Sequence, residues 1–280
     1  MLGTAQFGMD YGIANLSGKP SKKEIFEILD LAWEKGVRRF DTAPGYGSEL
    51  ILGEFILANG FQNEIKILTK IPSLKSRADY EKAIKASVES SLETLGCPIE
   101  VLFFHDPMDS KLLLKHPIMF EDLLRELPVS TLGVSVYEPQ EFDYLLDCPF
   151  DLAFQFPFNV LDRRFEKVNI PKGKRYARSV FLQGILASQK SLRQNAPEWL
   201  SKFHKRYQDS LLELRMKPIE AAVLFVVKKE LVDYILIGVD SKKQLKDILY
   251  LKMNRQFKFG ALEKLHTDFE KEWIDPREWS

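Results

Sequence analysis

Eight short apolar runs separated by longer amphipathic stretches predict a (β/α)8 barrel of the TIM type, one domain over residues 1–280. Three observations carry this expectation. The two kinds of segment alternate to about residue 250 with mostly short connections, as in a parallel sheet wrapped by helices. No Gly/Ser linker, low-complexity tract or short repeat marks a domain boundary. A chain of 280 residues with 45% apolar content can also bury one large core. An open doubly wound sheet is the alternative.

In chain order, strands are expected at LGTAQF (2–7), RRFDTA (38–43), IKILTK (65–70), EVLFFH (100–105), STLGVSV (130–136), LAFQFPF (152–158), YARSVF (176–181) and VDYILIGV (232–239). Helices are expected at 22–36, 79–96 and 139–147, where apolar residues recur three and four apart and Gly or Pro marks the ends. The sixth crossover, 159–174, is poor in helical pattern. A further segment, around 198–216, reads as a helix inserted after the seventh strand, bordering the mouth of the barrel.

Composition narrows the partners. Forty basic residues balance forty acidic ones, which gives no general attraction to nucleic acid or to an anionic membrane. Cys97 and Cys148 are too few for a disulfide framework or a thiolate metal site. The start of the chain lacks the basic region and apolar run of a signal peptide, and no stretch approaches the roughly 18 apolar residues of a membrane helix. The expectation is a soluble, cytoplasmic protein without nucleic-acid or membrane partners. With no heptad run to mark an interface, the oligomeric state stays open.

In such a barrel, chemistry sits at the carboxyl ends of the strands, so the polar residues that close apolar runs are the candidates. Asp41 closes the second run with Tyr46 five residues on, Lys70 closes the third and His105 the fourth. A phenol has a pKa of about 10, and a neighbouring ammonium such as Lys70 is expected to lower it. Asp41 is the natural counter-charge for a lysine in a dry mouth. His105 can then hydrogen-bond a bound carbonyl oxygen, leaving Tyr46 as a general acid worth roughly a hundred- to ten-thousand-fold in rate. Each residue alone has a structural explanation, such as a turn cap or a hydrogen-bonded core histidine. Four at successive strand ends point to carbonyl reduction.

FDTAPGYG followed by SELILG, with LGTAQFG, LGVSVY, QFPFNVLDRR, FLQGIL and ILIGVDSKKQL in order along the chain, resembles the aldo-keto reductase superfamily. The resemblance implies the tetrad Asp41, Tyr46, Lys70 and His105, an NAD(P)-dependent barrel, a small-molecule carbonyl substrate and no metal. It implies a cofactor site at Gly3, Thr4, Asp41, Ser135, Gln155, Arg178, Ser179, Phe181, Leu182, Gly184, Gly238, Asp240, Gln244 and Asp247. The chain departs from the family pattern at several points. Gly47 runs directly into Ser48 without the usual intervening residue, Val136 stands where an Asn is expected, and Arg178 stands where an aromatic side chain commonly stacks on the nicotinamide. The first strand begins near Leu2 without the family's plugging hairpin, so other residues must close the barrel floor or it stays open.

Pyrophosphate is expected on backbone amides around SVFLQG and near the start of the last helix, since helix N-termini offer unpaired N–H groups. Lys242 and Lys243 favour NADP(H) over NAD(H), against the opposing charge of Asp240. Tyr11, Phe158, Arg163, Arg164 and Arg178 suit a polar or anionic carbonyl compound such as a sugar derivative. Two other classes remain: a nucleotide-sensing regulatory protein of the same fold, and a lyase or isomerase in which Lys70 forms a Schiff base.

Overall fold

The structure, a computed structural model, describes residues 1–15, 18–75, 77–188, 198–251, 259–264 and 274–275. Positions 16 and 17, between the first expected strand and the helix expected at 22–36, therefore lie outside the described residues. Among the described residues nine short strands form one parallel sheet: β1 (Leu2–Gly3), β2 (Arg39–Asp41), β3 (Lys66–Ile71), β4 (Ile99–Phe104), β5 (Val129–Ser135), β6 (Ala153–Pro157), β7 (Arg175–Arg178), β8 (Tyr234–Ile235) and β9 (Ile237–Gly238). Their order, β8-β7-β6-β5-β4-β3-β2-β1-β9, closes on itself, because β8 and β9 are two halves of the eighth expected strand. Tyr234 and Ile235 pair with β7, while Ile237 and Gly238 pair with β1. Leu236, between them, donates its N–H to the Ala177 carbonyl at 2.8 Å. The result is a single-domain (β/α)8 barrel.

Among the described residues the strands are accompanied by the α-helices α1 (Ala5–Gly8), α2 (Lys22–Glu34), α3 (Glu49–Asn59), α4 (Tyr80–Leu95), α5 (Leu112–Lys115), α6 (Pro117–Glu126), α7 (Glu198–Glu213), α8 (Pro218–Lys229), α9 (Lys242–Leu249) and α10 (Phe259–Glu263). Local chemistry sets their ends. Ser21 and Glu24 form a reciprocal capping box at α2, and the Asp79 side chain accepts from Lys82 N–H at the start of α4. α4 buries Ile84, Val88, Ser91 and Leu95, one stripe of a 3.6-residue period. Among the described residues no helix is long and apolar enough to cross a membrane.

The seventh expected strand (176–181) ends at Arg178, where Ser179 takes φ 55°, and two further elements differ. The first strand stops at Gly3, because the Thr4 N–H and hydroxyl both turn to the Asp41 carbonyl and Phe7 N–H then closes a helical turn on Thr4. Phe7 is thereby driven into the core. The segment expected as a helix at 139–147 is a 3₁₀ helix, Pro139–Leu145. Its buried residues, Phe142 and Leu145, lie three apart, which fits a three-residue turn.

Alternation along the strands gives the barrel an inside with two storeys. Leu68, Val101, Phe103, Ala153 and Tyr176 form an interior cluster separate from the larger core between sheet and helices. Residues two positions further along those strands, or at equal height, are polar: Asp41, Lys70, His105, Ser135, Gln155 and Arg178. At the opposite end the register shift in β4 leaves Glu100 bulged, and its carboxylate meets Arg39 at 2.8 Å. The Arg39 guanidinium lies 4.7 Å from the Tyr234 ring centroid, and Tyr234 stacks on Tyr176 at 5.0 Å. These four side chains fill the barrel floor.

Candidate active site

Asp41 anchors the upper storey. Its carboxylate accepts from Lys70 Nζ at 2.7 Å through Oδ1 and from Gln155 Nε2 at 2.8 Å through Oδ2, while Lys70 also donates to the Thr42 carbonyl at 2.8 Å. Both members of the ion pair are almost fully buried. Burial alone pushes the Lys70 ammonium toward its neutral form, but the charge and hydrogen bond of Asp41 outweigh it and hold the pKa above the ordinary value. This favours the ammonium form, against the free amine that a Schiff base requires.

A hydroxyl network fixes the loop between Asp41 and Tyr46. The Thr4 hydroxyl donates to the Asp41 carbonyl and lies 2.8 Å from Ser48 Oγ, which is 2.9 Å from Thr42 Oγ1. A 3₁₀ turn, Pro44–Tyr46, then carries the phenol inward, and Gly47 ends it at φ 71°. Gly8 packs on this turn so closely that a Cβ there would sit 1.7 Å from the Tyr46 carbonyl oxygen. Glu49, the second residue of the Ser-Glu pair, is buried by its contacts with other elements. It accepts from Thr69 of β3 at 2.6 Å and from Ser91 of α4 at 3.1 Å, and burial raises its pKa.

Tyr46 stands beside both Lys70 and His105. Its ring centroid is 4.8 Å from Lys70 Nζ and 6.1 Å from the His105 ring, which meets it edge-on at 89°. Burial raises the phenol's pKa, and the pull of Lys70 in the opposite direction does not overcome it. This reverses the sequence expectation of a lowered value: desolvation of a phenolate in this dry pocket outweighs one ammonium already shared with Asp41. His105 is pushed down to about 4, first by burial and then by the Lys70 and Arg178 charges, so its imidazole is neutral at physiological pH. Tyr11, also in the pocket, is raised chiefly by burial.

A cavity of about 1350 Å³ runs from this group to the start of α9. Gly3, Thr4, Asp41, Ser135, Gln155, Arg178, Ser179, Phe181, Leu182, Gly184, Gly238, Asp240, Gln244 and Asp247 all line it. In the segment after β7, Ser179, Leu182 and Gln183 have φ of 55°, 44° and 52°, and Gly184 has 91°. Such backbone is costly for residues with side chains and clusters where ligands bind. At the α9 end, Ser241 caps the helix by accepting from Gln244 N–H, and Gln244 Oε1 folds back to accept from Asp240 N–H at 2.7 Å. Lys243 and Lys246 line the cavity there, and Lys242 is not among its lining residues.

Several mouth residues read from the sequence lie elsewhere. Phe158 is fully buried against Phe225. Arg163 pairs with Glu166 at 2.7 Å, and Arg164 pairs with Asp162 at 2.7 Å and Glu138 at 3.0 Å. The crossover that carries them folds onto the outside of the sheet; of the five residues only Tyr11 and Arg178 line the cavity. Sequence reasoning assigned no role to Gly8, Thr42 and Ser48, although each lies in a quoted motif, LGTAQFG, FDTAPGYG or SELILG. Among the described residues no group of three or more His, Cys, Asp or Glu is placed to hold a metal ion.

Comparisons with known proteins agree with this fold. The family model described as "Aldo/keto reductase family" matches residues 1–258. Pyridoxal 4-dehydrogenase of Microbacterium luteolum is 25% identical over 88% of this chain and 86% of its own. D-threo-aldose 1-dehydrogenase of a Pseudomonas species is 31% identical over 38% of this chain, and the match spans 41% of that protein's length. For norsolorinic acid reductase of Emericella nidulans it spans 30%, so the chain aligns with less than half the length of these two relatives. A holo aldo-keto reductase of Bacillus halodurans shares the fold at TM-score 0.74 and 19% identity, over 98% of this chain and 94% of that one. Glycerol dehydrogenase of Gluconobacter oxydans does so at 0.70 and 19%, over 94% and 89%. With a family match over nearly its whole length, the chain belongs to the aldo/keto reductase family.

Proposed function

We propose that the protein reduces an aldehyde or ketone to an alcohol with NADPH, Tyr46 acting as general acid. The observation that carries this reading is the buried Lys70–Asp41 pair set against the Tyr46 ring, with a neutral His105 edge-on to the same phenol. Reduced nicotinamide, when bound, supplies the hydride. The raised pKa keeps Tyr46 protonated, so it can deliver its proton to the oxygen of a carbonyl as negative charge develops there. Lys70, held as an ammonium by Asp41, then stabilises the phenolate left behind. His105 donates an imidazole N–H to the carbonyl oxygen and orients it. The proton from Tyr46 balances the hydride, and the product is the neutral alcohol.

The cavity's size and lining fit a dinucleotide. Gln155 Nε2 is committed to Asp41, leaving its Oε1, with Ser135, to hold a carboxamide. The left-handed residues Ser179, Leu182, Gln183 and Gly184 turn this segment tightly along the cavity wall, and its backbone N–H groups are the candidates to hold pyrophosphate. Lys243 and Lys246 offer charge to a 2′-phosphate, which favours NADPH over NADH despite Asp240 and Asp247 nearby. Titrating the protein with each dinucleotide by fluorescence quenching, then following aldehyde-dependent loss of reduced-nicotinamide absorbance, tests the reading. Tighter binding of NADPH with turnover supports it. Binding without turnover on a broad carbonyl panel would favour a nucleotide-sensing role, and no binding to either would defeat both.

A further inference from the structure

The reacting end of the cavity holds a charge that proton and hydride transfer do not use. Arg178 closes β7 and points, like Tyr176 before it, into the barrel. It is held in place: Nη2 donates to the Val136 carbonyl at 3.1 Å, Nη1 to Ser179 Oγ at 3.3 Å, and its guanidinium carbon lies 4.0 Å from the Tyr137 ring centroid. Nε is buried and has no acceptor. Among the described residues no carboxylate pairs with Arg178, whereas Arg39, Arg125, Arg163 and Arg164 each have one.

Asp41, the carboxylate at this end, has Oδ1 on Lys70 and Oδ2 on Gln155. Two cations thus face one committed carboxylate, with His105 neutral, so the pocket carries an excess positive charge. A fixed, partly desolvated guanidinium with free donors is costly without a counter-anion and well matched to a carboxylate or phosphate. The groups that respond to its charge are His105 and Tyr11, both at the carbonyl end rather than beside α9.

We propose that the carbonyl substrate itself carries an oxyanion, a carboxylate or a phosphate, and that Arg178 binds that group while Tyr46 and His105 engage the carbonyl. This rests on the reductase reading and names its substrate class.

The test uses matched pairs: succinic semialdehyde against 4-oxobutanamide for the carboxylate arm, and glyceraldehyde 3-phosphate against glyceraldehyde for the phosphate arm. The wild type is expected to prefer at least one anion in kcat/KM by on the order of tenfold or more, mainly through KM. Arg178→Gln should lower kcat/KM for that anion at least about tenfold more than for its neutral partner, with Arg178→Lys retaining part of the preference. Calorimetry of succinate and succinamide binding to wild type and variants in the presence of NADP⁺ reads the same site without turnover. Equal use of charged and neutral partners overturns the inference and leaves carbonyl reduction standing. An Arg178→Gln enzyme that loses NADPH affinity while both substrates fall alike also overturns it, by assigning the guanidinium to the dinucleotide. If none of the four carbonyls oxidises NADPH or NADH, the reductase reading fails, and the calorimetric pair alone then decides whether Arg178 holds an anion.

Discussion

Replacing Asp41 with Asn should unsettle both the stability and the chemistry of the barrel mouth. Asp41 accepts from Lys70 and Gln155 at 2.7 and 2.8 Å with almost no solvent contact. An asparagine has one oxygen for those two donors, so its NH₂ must face either the ammonium or the glutamine amide. Breaking a buried pair on one side typically costs about 3–5 kcal/mol, because the remaining charge is left uncompensated. At roughly 2 °C per kcal/mol for a chain of this size, the melting temperature should fall by about 6–10 °C. Lys70→Met alone should cost a similar amount by stranding the carboxylate. The double variant places two neutral side chains together and should recover at least about 2 kcal/mol relative to the sum of the single changes. Urea unfolding followed by tryptophan fluorescence measures all four proteins. Additive effects, with a coupling below about 0.5 kcal/mol, would refute the idea that these two groups hold each other's charge.

Other changes have equally definite expected outcomes. Gly8→Ala should displace the Tyr46 turn, since its Cβ would fall 1.7 Å from the Tyr46 carbonyl; turnover should drop at least about tenfold while the fold, by circular dichroism, persists. His105, at about 4 in the folded protein against 6.5 free, makes the unfolded chain bind more protons between those values. Stability is therefore fully present above pH 6.5 and falls as pH drops toward 4, by up to about 3 kcal/mol, and His105→Asn should flatten that part of the urea-midpoint profile. Ser48→Ala removes the hydroxyl shared by Thr4 and Thr42 and should cost about 1–3 kcal/mol, measured by denaturant midpoint.

Much of the upper storey was legible because alternation in a strand puts one side chain in two inside the barrel. Asp41, Lys70, Gln155 and Arg178 stand out as polar residues at inward positions of otherwise apolar runs. Other features depend on contacts between distant segments, which local pattern does not record. Gly8 matters only because the first loop touches the Tyr46 turn, and the Thr4–Ser48–Thr42 network joins residues up to 44 apart in sequence. The same limit explains why Arg163 and Arg164, near a strand end in sequence, turn out to be paired on the outer crossover. Tyr46 shows a limit of another kind: the neighbour that lowers its pKa was visible in sequence, and the burial that raises it was not.

The claim at the centre of the account is that Tyr46 supplies the proton. Tyr46→Phe removes one oxygen from a ring held by the turn at Pro44–Tyr46, so the cavity's shape persists. Stopped-flow single turnover with NADPH and a carbonyl substrate, beside the NADPH dissociation constant of the same variant, measures the consequence. Binding within about threefold of wild type and a reduction step slowed by roughly a hundredfold or more are expected. A Tyr46→Phe enzyme that reduces the carbonyl at the wild-type rate would contradict it.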